Sequence, residues 1–152
     1  MLDKIDVQIL NMLQEKGRTK RNVLAESVGL SLPSLSERLK KLEDRGVIEG
    51  YYAKLNKNVF GYDISAFITV VMDSSKNYTS LGSHVHKTPE ILECYSVLGE
   101  GSHLLKIIAH DTASLEKLLS KIQSWPGVTR TITHFVLSTI KETNTIKIKP
   151  KE

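Results

Sequence analysis

Apolar residues recur every three or four positions through the first third of the chain and every second position through much of the rest. Between Ser31 and Gly46, Leu32, Leu35, Leu39 and Leu42 are spaced by three, four and three, which lines one face of a 3.6-residue period. Ser31 suits an N-cap, Pro33 is tolerated in the first turn, and Gly46 suits a left-handed stop. Upstream, Asp3 to Glu15 puts Ile5, Ile9 and Leu13 on one stripe with Leu10 and Met12 beside it, and Lys16-Gly17-Arg18 ends that helix. A short helix from about Lys20 to Val28 turns Val23, Leu24 and Val28 inward, and Gly29-Leu30-Ser31 leads into the leucine-striped helix. Two helices joined by a short glycine-bearing turn, the second opening on small polar residues, predict a helix-turn-helix. Ala25 is small enough to let the pair approach.

After Gly46, Val47-Ile48 and Tyr51-Tyr52 flank Glu49-Gly50, a pattern for a strand or small hairpin closing the three-helix unit. Residues 54–62 are polar, contain Gly61 and lack a period, which reads as a linker. From Asp63 the pattern alternates. Asp63 to Asp73 puts Ile64, Ala66, Ile68, Val70 and Met72 on one face and Ser65, Phe67, Thr69 and Val71 on the other, a strand apolar on both sides. Tyr78 to Lys87 is helical in spacing and Thr88-Pro89 breaks it. Ile91 to Leu98 and His103 to Ala109 are strands joined by Gly99-Glu100-Gly101-Ser102. A helix capped by Asp111 or Thr112 turns Leu115, Leu118, Leu119 and Ile122 inward and ends at Trp125-Pro126-Gly127, and Val128 to Ile140 is a long fourth strand. The order is β-α-β-β-α-β. The fold class is therefore α+β: a helix-turn-helix domain over 1–53, a linker over 54–62 and a ferredoxin-like sheet domain over 63–152. In that fold both helices cover one sheet face. The open face still carries apolar side chains, which implies that two sheets pack together in a dimer. The closing IKIKPKE alternates Ile146 and Ile148 with lysines, as a short edge strand guarded against aggregation would.

The 152 residues, 40% hydrophobic and 25% charged, suit a soluble globular protein of one or two domains. No apolar run approaches the ~20 residues that span a bilayer. The start, MLDKIDVQIL, has acids where a secretory leader would be basic and then uninterruptedly apolar, so no targeting segment is read. A single cysteine, Cys94, excludes an intrachain disulfide and fits a reducing cytoplasm. Net charge is +4, with ten Lys/Arg against eight Asp/Glu in residues 1–56 and eleven against nine in the rest, so each part carries +2. Bulk charge therefore singles out no nucleic-acid domain. Placement says more: Lys16, Arg18, Lys20 and Arg21 cluster before the second helix, Arg38, Lys40, Lys41 and Arg45 lie on the third, and Asp3 and Asp6 are expected at the far end of the first.

The face of the third helix opposite its leucines carries Ser34, Glu37, Arg38 and Lys41. Small hydroxyls can approach base edges and cations can reach phosphates. On its own, the same face equally suits a solvated surface helix. Of the five histidines, His84 and His86 are two apart on a helix, so their side chains point about 200° apart and cannot share a metal. His103, His110 and His134 can be neighbours in a sheet, but no CxxC or HxxxH frame supports zinc, and no metal or cofactor is expected. Cys94 reads as an apolar filler, Gly99 and Gly101 as turn glycines with no helix following to make a phosphate cradle, and Trp125 as packing at a helix end.

The segments LDKIDVQILNMLQEKGR, LAESVGLSLPSLSERLKKLEDRGVIEGYYAKLN, PEILECYSVLGEG and PGVTRTITHFVLSTIK resemble the leucine-responsive/asparagine-responsive (Lrp/AsnC, feast/famine) family of transcriptional regulators over nearly the whole chain. The resemblance implies a winged or hairpin-backed helix-turn-helix that binds double-stranded DNA. It implies a sheet domain for oligomerisation and effector binding, and homodimers that associate further, commonly to octamers, with DNA bent around them. Carried over by position, the helix Leu32 to Arg45 enters the major groove after its cap Ser31. Ser34, Ser36 and Glu37 stand near base edges, Arg38 and Lys41 beside the groove, and Arg18 and Arg21 near the DNA backbone. The effector site falls on Gly99, Glu100, Gly101, Ser102 and His103 with Thr131 and Thr133 facing them, and the closing tail and the Gly99 turn fall near contacts between dimers. One departure stands out. The family's turn commonly reads Gly-x-x-Asp, the acid meeting a ligand's ammonium, whereas this chain has Ser102 there and Glu100 two positions early. Weak or absent response to leucine and similar amino acids is therefore expected. Some tetrapyrrole-pathway decarboxylases resemble the same architecture. An enzyme subunit using basic and histidine side chains of the sheet domain is the alternative to a DNA-binding regulator without catalysis.

Overall fold

The structure, a computed structural model, describes residues 2–149. It divides into two units: a helical unit holding the chain as far as Lys54 and again from Lys141, and a sheet unit, Leu55–Ile140.

In the helical unit, α1 (Lys4–Glu15), α2 (Arg21–Ser27) and α3 (Leu32–Asp44) bury Ile9, Leu10, Leu24, Ala25, Leu35, Leu39 and Leu42 together. Ser31 caps α3 by accepting from the Ser34 backbone N–H, and Pro33 sits in its first turn. At the other end Gly46 takes φ +66° while its N–H and that of Val47 bond the Glu43 and Leu42 carbonyls, closing the helix as expected. Two residues read as inward are half-exposed: Leu32 and Val23, each at 48%. Leu32 lies about 60° round the helix from Leu35 at 100° per residue, outside the strip that meets α1. The expected strand or hairpin at Val47–Tyr52 is absent, as no residue there pairs in a ladder.

The sheet unit has β1 (Ile64–Met72), α4 (Tyr78–His86), β2 (Ile91–Ser96), β3 (His103–Ala109), α5 (Thr112–Gln123) and β4 (Val128–Phe135). The strands are antiparallel in the order β2-β3-β1-β4. One face, carrying Ile64, Ala66, Ile68, Val70, Leu105 and Ile107, is buried against Leu81, Leu118, Ile122 and Trp125 of the helix layer. The other carries Phe67, Thr69 and Val71 of β1, in register with Lys106, Leu104 and, on β4, His134, Ile132 and Arg130. β4 stops at Phe135, five residues short of expectation. After the Val136 N–H bonds the Ser65 carbonyl, β1 offers no further strand to pair with. The linker residues include a 3₁₀ turn, Lys57–Phe60, ended by Gly61 at φ +77°.

The segment from Lys141 also departs from expectation. Residues 141–149 form no strand and belong to the helical unit rather than to the sheet unit, where the expected domain 63–152 had put them. Pro150, Lys151 and Glu152 of the expected strand lie outside the described residues.

Candidate nucleic-acid interface and effector turn

Ser34, Arg38, Lys41 and Arg45 recur along α3 at four, three and four residues, so they share one flank of the helix. With Glu37, Leu30, Leu42 and Asp6 of α1 they line an open groove of about 410 Å³. At its amino end the Ser31 and Ser34 hydroxyls lie 2.9 Å apart on the surface. Lys41 is ion-paired to Glu37, one turn earlier, at 2.7 Å, and this pairing holds the Glu37 carboxyl below its usual range. Ser36 points to the other flank, where the Arg21 guanidinium reaches its hydroxyl at 3.5 Å, a long contact. Arg18 and Arg21 are exposed.

Arg38 is differently placed from its neighbours. Its Nη1 donates to Asp3 Oδ2 at 2.7 Å and to Asp6 Oδ1 at 2.8 Å. The other oxygen of each carboxylate closes a reciprocal cap on α1: Asp3 Oδ1 accepts from the Asp6 N–H and Asp6 Oδ2 from the Asp3 N–H. The Asp6 N–H, and then the Arg38 guanidinium, hold the Asp3 carboxyl below the usual range. The acids expected at the far end of α1 from the basic helix therefore sit against it. Asp3 and Asp6 are the residues that sequence reading missed here. The signal for them was the three-residue spacing of two capping acids, with one arginine among several cations on the facing helix. Among the described residues, Arg18, Lys40 and Arg45 make no ion pair, in contrast to Arg38 and Lys41. Beyond the groove, Tyr51 donates to Glu43 at 3.0 Å, and partial burial followed by that carboxylate pushes its hydroxyl up to about 12.

The second candidate site is the turn between β2 and β3. Gly101 takes φ +81°, and a Cβ there would meet Thr69 Cγ2 at 2.5 Å and the Val70 carbonyl at 2.8 Å, so only glycine fits. The Ser102 N–H donates to that Val70 carbonyl at 2.9 Å. Its hydroxyl lies 2.8 Å from Nδ1 of His103, whose ring is buried edge-on to Tyr78, and burial lowers the His103 pKa. Glu100 turns outward to Arg130 of β4, 2.8 Å away. Thr131 and Thr133 lie opposite Val70 and Ile68, on the face that the helices cover, and the Thr131 hydroxyl accepts from Gln123 of α5 at 2.9 Å. The turn thus gathers Glu100 with Arg130 and Ser102 with His103, while the two threonines lie on the helix-covered face. The three histidines considered as sheet neighbours are separated. His103 is beneath the helix layer, His134 lies opposite Phe67 on the open face, and His110 stacks on Tyr62 at 4.1 Å. Cys94 is exposed rather than a core filler. No helix of the described residues is long and apolar enough to cross a membrane.

Comparison with known proteins places these features together. A winged helix-turn-helix DNA-binding profile matches residues 2–49, and a profile described as the Lrp/AsnC ligand binding domain matches residues 65–146. The chain is 36% identical over 148 residues to the HTH-type transcriptional regulator FL11 of Pyrococcus horikoshii, covering 97% of each chain. It is 35% identical over 153 residues to the leucine-responsive regulatory protein of Escherichia coli K12, covering 99% of this chain and 93% of that one. Among solved structures, a transcriptional regulator from Neisseria meningitidis in complex with L-Met superposes with a TM-score of 0.90 at 34% identity over 97% of both chains. A feast or famine regulatory protein from M. tuberculosis complexed with L-methionine superposes with a TM-score of 0.89 at 31% identity, over 96% of this chain and 99% of that one.

Proposed function

The chain belongs to the Lrp/AsnC family of DNA-binding transcriptional regulators, and from that premise we propose which of its residues read DNA and how it assembles. Helix α3 enters the major groove with the Ser31–Ser34 hydroxyl pair foremost, and Ser34 and Glu37 are its base-facing residues. The observation that carries this reading is the groove along one flank of α3, where a small hydroxyl leads and cations follow. Phosphate contacts fall first to cations that make no ion pair among the described residues, Arg18, Lys40 and Arg45 among them. Lys41 must share its charge with Glu37, Arg21 leans toward Ser36, and Arg38 is committed to α1.

Copies pair through the open sheet face, as its apolar residues favour, and the paired recognition helices address half-sites about one helical turn apart or a multiple of it. A small-molecule effector meets the turn Gly99–His103. The protein works by binding rather than catalysis. Its named relatives are regulators, and the basic side chains of the sheet face are engaged, Arg130 with Glu100 and Lys106 with Glu93.

Gel-shift titration at several salt concentrations tests the DNA reading. Ser34→Ala should alter sequence preference, at about 1–3 kcal/mol where it reads a base. Arg18→Ala and Arg45→Ala should weaken all sequences alike and flatten the salt slope by about one unit each. Equal loss of specific and non-specific binding in Ser34→Ala would move that residue to the DNA backbone.

A further inference from the structure

Segment 141–149 takes no part in the DNA-reading or effector geometry, yet it is held on the helical unit by three different interactions. Glu142 pairs with Lys54 at 3.4 Å. Gln14 of α1 donates from Nε2 to the Ile146 carbonyl at 3.1 Å and accepts at Oε1 from the Ile146 N–H at 2.7 Å. Ile148 packs against the helical core. The Gln14 exchange satisfies both backbone groups of one residue, as a hydrogen-bonded pair in an antiparallel ladder does, but a side-chain amide replaces the second strand. The side-chain amide supplies donor and acceptor together at that place, whereas a carboxylate would accept from the N–H and repel the carbonyl. The helix that receives the segment is also the helix whose first turn grips Arg38 of α3. A displacement of α1 therefore reaches α3 through Asp3, Asp6 and Arg38.

We propose that the surface of α1 around Gln14 is a docking site for an extended peptide segment, that residues 142–148 of the same chain are its occupant, and that the docked segment fixes α1 and, through Arg38, the pose of the recognition helix. Gln14 is then a positioning residue for DNA binding that touches no DNA. The coupling rests on the DNA-binding reading, whereas the docking stands apart from it.

The test uses full-length protein as wild type, Gln14→Ala, Gln14→Glu and Ile148→Asp. Amide exchange at Ile146, tryptic cleavage after Lys147, DNA affinity across salt concentrations and mass by light scattering are followed together. In the wild type the Ile146 amide should be protected and Lys147 resistant. Each lost hydrogen bond should weaken docking roughly fivefold, so Gln14→Ala should speed Ile146 exchange by about one order of magnitude or more, with Gln14→Glu between. Gln14→Ala and Ile148→Asp should lose DNA affinity several-fold with an unchanged salt slope, because no phosphate contact has gone, and with unchanged assembled mass. An Ile146 amide as labile in the wild type as in Gln14→Ala would overturn the docking. A freed segment with unaltered DNA affinity would overturn the positioning role, and so would a loss of affinity that tracks a loss of assembled mass. A wild type that bound no DNA would defeat the DNA reading and the coupling together, and Ile146 exchange would still decide the docking.

Discussion

At the scale of single residues, the difference between Arg38 and its neighbours on α3 is one of partners. A cation meant for phosphate is best left unpaired in the free protein, whereas Arg38 already satisfies two carboxylates, one of them nearly buried: the Asp6 side chain is 12% exposed. Arg38→Ala strands that carboxylate and should cost about 1–3 kcal/mol, less than a fully buried pair because the arginine is 31% exposed. The salt slope of DNA binding should barely change. Thermal unfolding and gel-shift titration of the same variant check both, and a slope reduced by a full unit with normal stability would return Arg38 to the phosphates. The pH dependence has a defined sign. The Asp3 carboxyl is held low in the folded state, so its contribution is present above the ordinary value of 3.8 and disappears as pH falls through the lowered one. Asp3→Asn should accordingly flatten the acid limb of the stability profile below about pH 4. Ser102 poses a residue-scale question of the opposite kind. An amino-acid ammonium needs an ionised partner, which gives a hydrogen bond roughly twice as strong as a neutral one. Here Ser102 is neutral and already bonded to His103, its N–H is spent on Val70, and Glu100 is drawn to Arg130. Calorimetry with the twenty amino acids should show weak binding or none, beginning with methionine, the ligand in the two solved relatives. Ser102→Asp should gain affinity, and micromolar binding by the unmodified protein would overturn the argument.

At the scale of elements, the sequence was most legible where a period and a cap agreed. Leu35, Leu39 and Leu42 with Ser31 and Gly46 defined α3 to within a residue of its observed end, and strict alternation defined β1 and β3. Legibility failed where an element depends on a partner remote in sequence. Nothing in Val136 to Ile140 says that β1 has already ended, so β4 read too long. Likewise, nothing in Ile146-Lys147-Ile148 says that a glutamine side chain will stand in for a strand. On the flank of α3 proposed to face DNA, the sequence showed which residue types are present but not their pairing, because apposed charges such as Arg38 and Asp3 stand thirty-five residues apart. The β2–β3 turn allows a test at this scale. Gly101 combines a left-handed backbone with contacts that admit no Cβ, so Gly101→Ala adds conformational strain to a steric clash with Thr69 and the Val70 carbonyl. It should destabilise the sheet unit by more than the ~1 kcal/mol that an ordinary glycine-to-alanine change at positive φ costs. A stability equal to wild type in denaturant titration would show that β1 yields to the new methyl group.

At the scale of the whole molecule, the proposed pairing of copies rests on a sheet with one covered face. Helices α4 and α5 bury only the face carrying Ile68, Val70, Leu105 and Ile107. On the other, Phe67, Val71, Leu104, Ile108 and Ile132 stand together with Lys106, Glu93 and Arg130 among them. Stable pairing needs roughly 800 Å² buried on each partner, an area that a four-stranded sheet face can supply, and Lys106 within that face is already paired with Glu93. Ile132 is the place to break it, because it lies opposite Thr69 in the β1–β4 ladder, on the open face and away from the helix core. Ile132→Asp leaves that core untouched while placing a carboxylate with no partner on the face where copies are proposed to pair. Light scattering should give the wild type at least twice the chain mass and the variant the mass of one chain, with the thermal transition nearly preserved. DNA affinity should fall further than any single phosphate contact explains, because one recognition helix then binds without a second held at a fixed spacing. Retention of the paired mass in Ile132→Asp would place the interface elsewhere on the molecule. A strictly monomeric wild type with full affinity for DNA would remove pairing from the mechanism altogether.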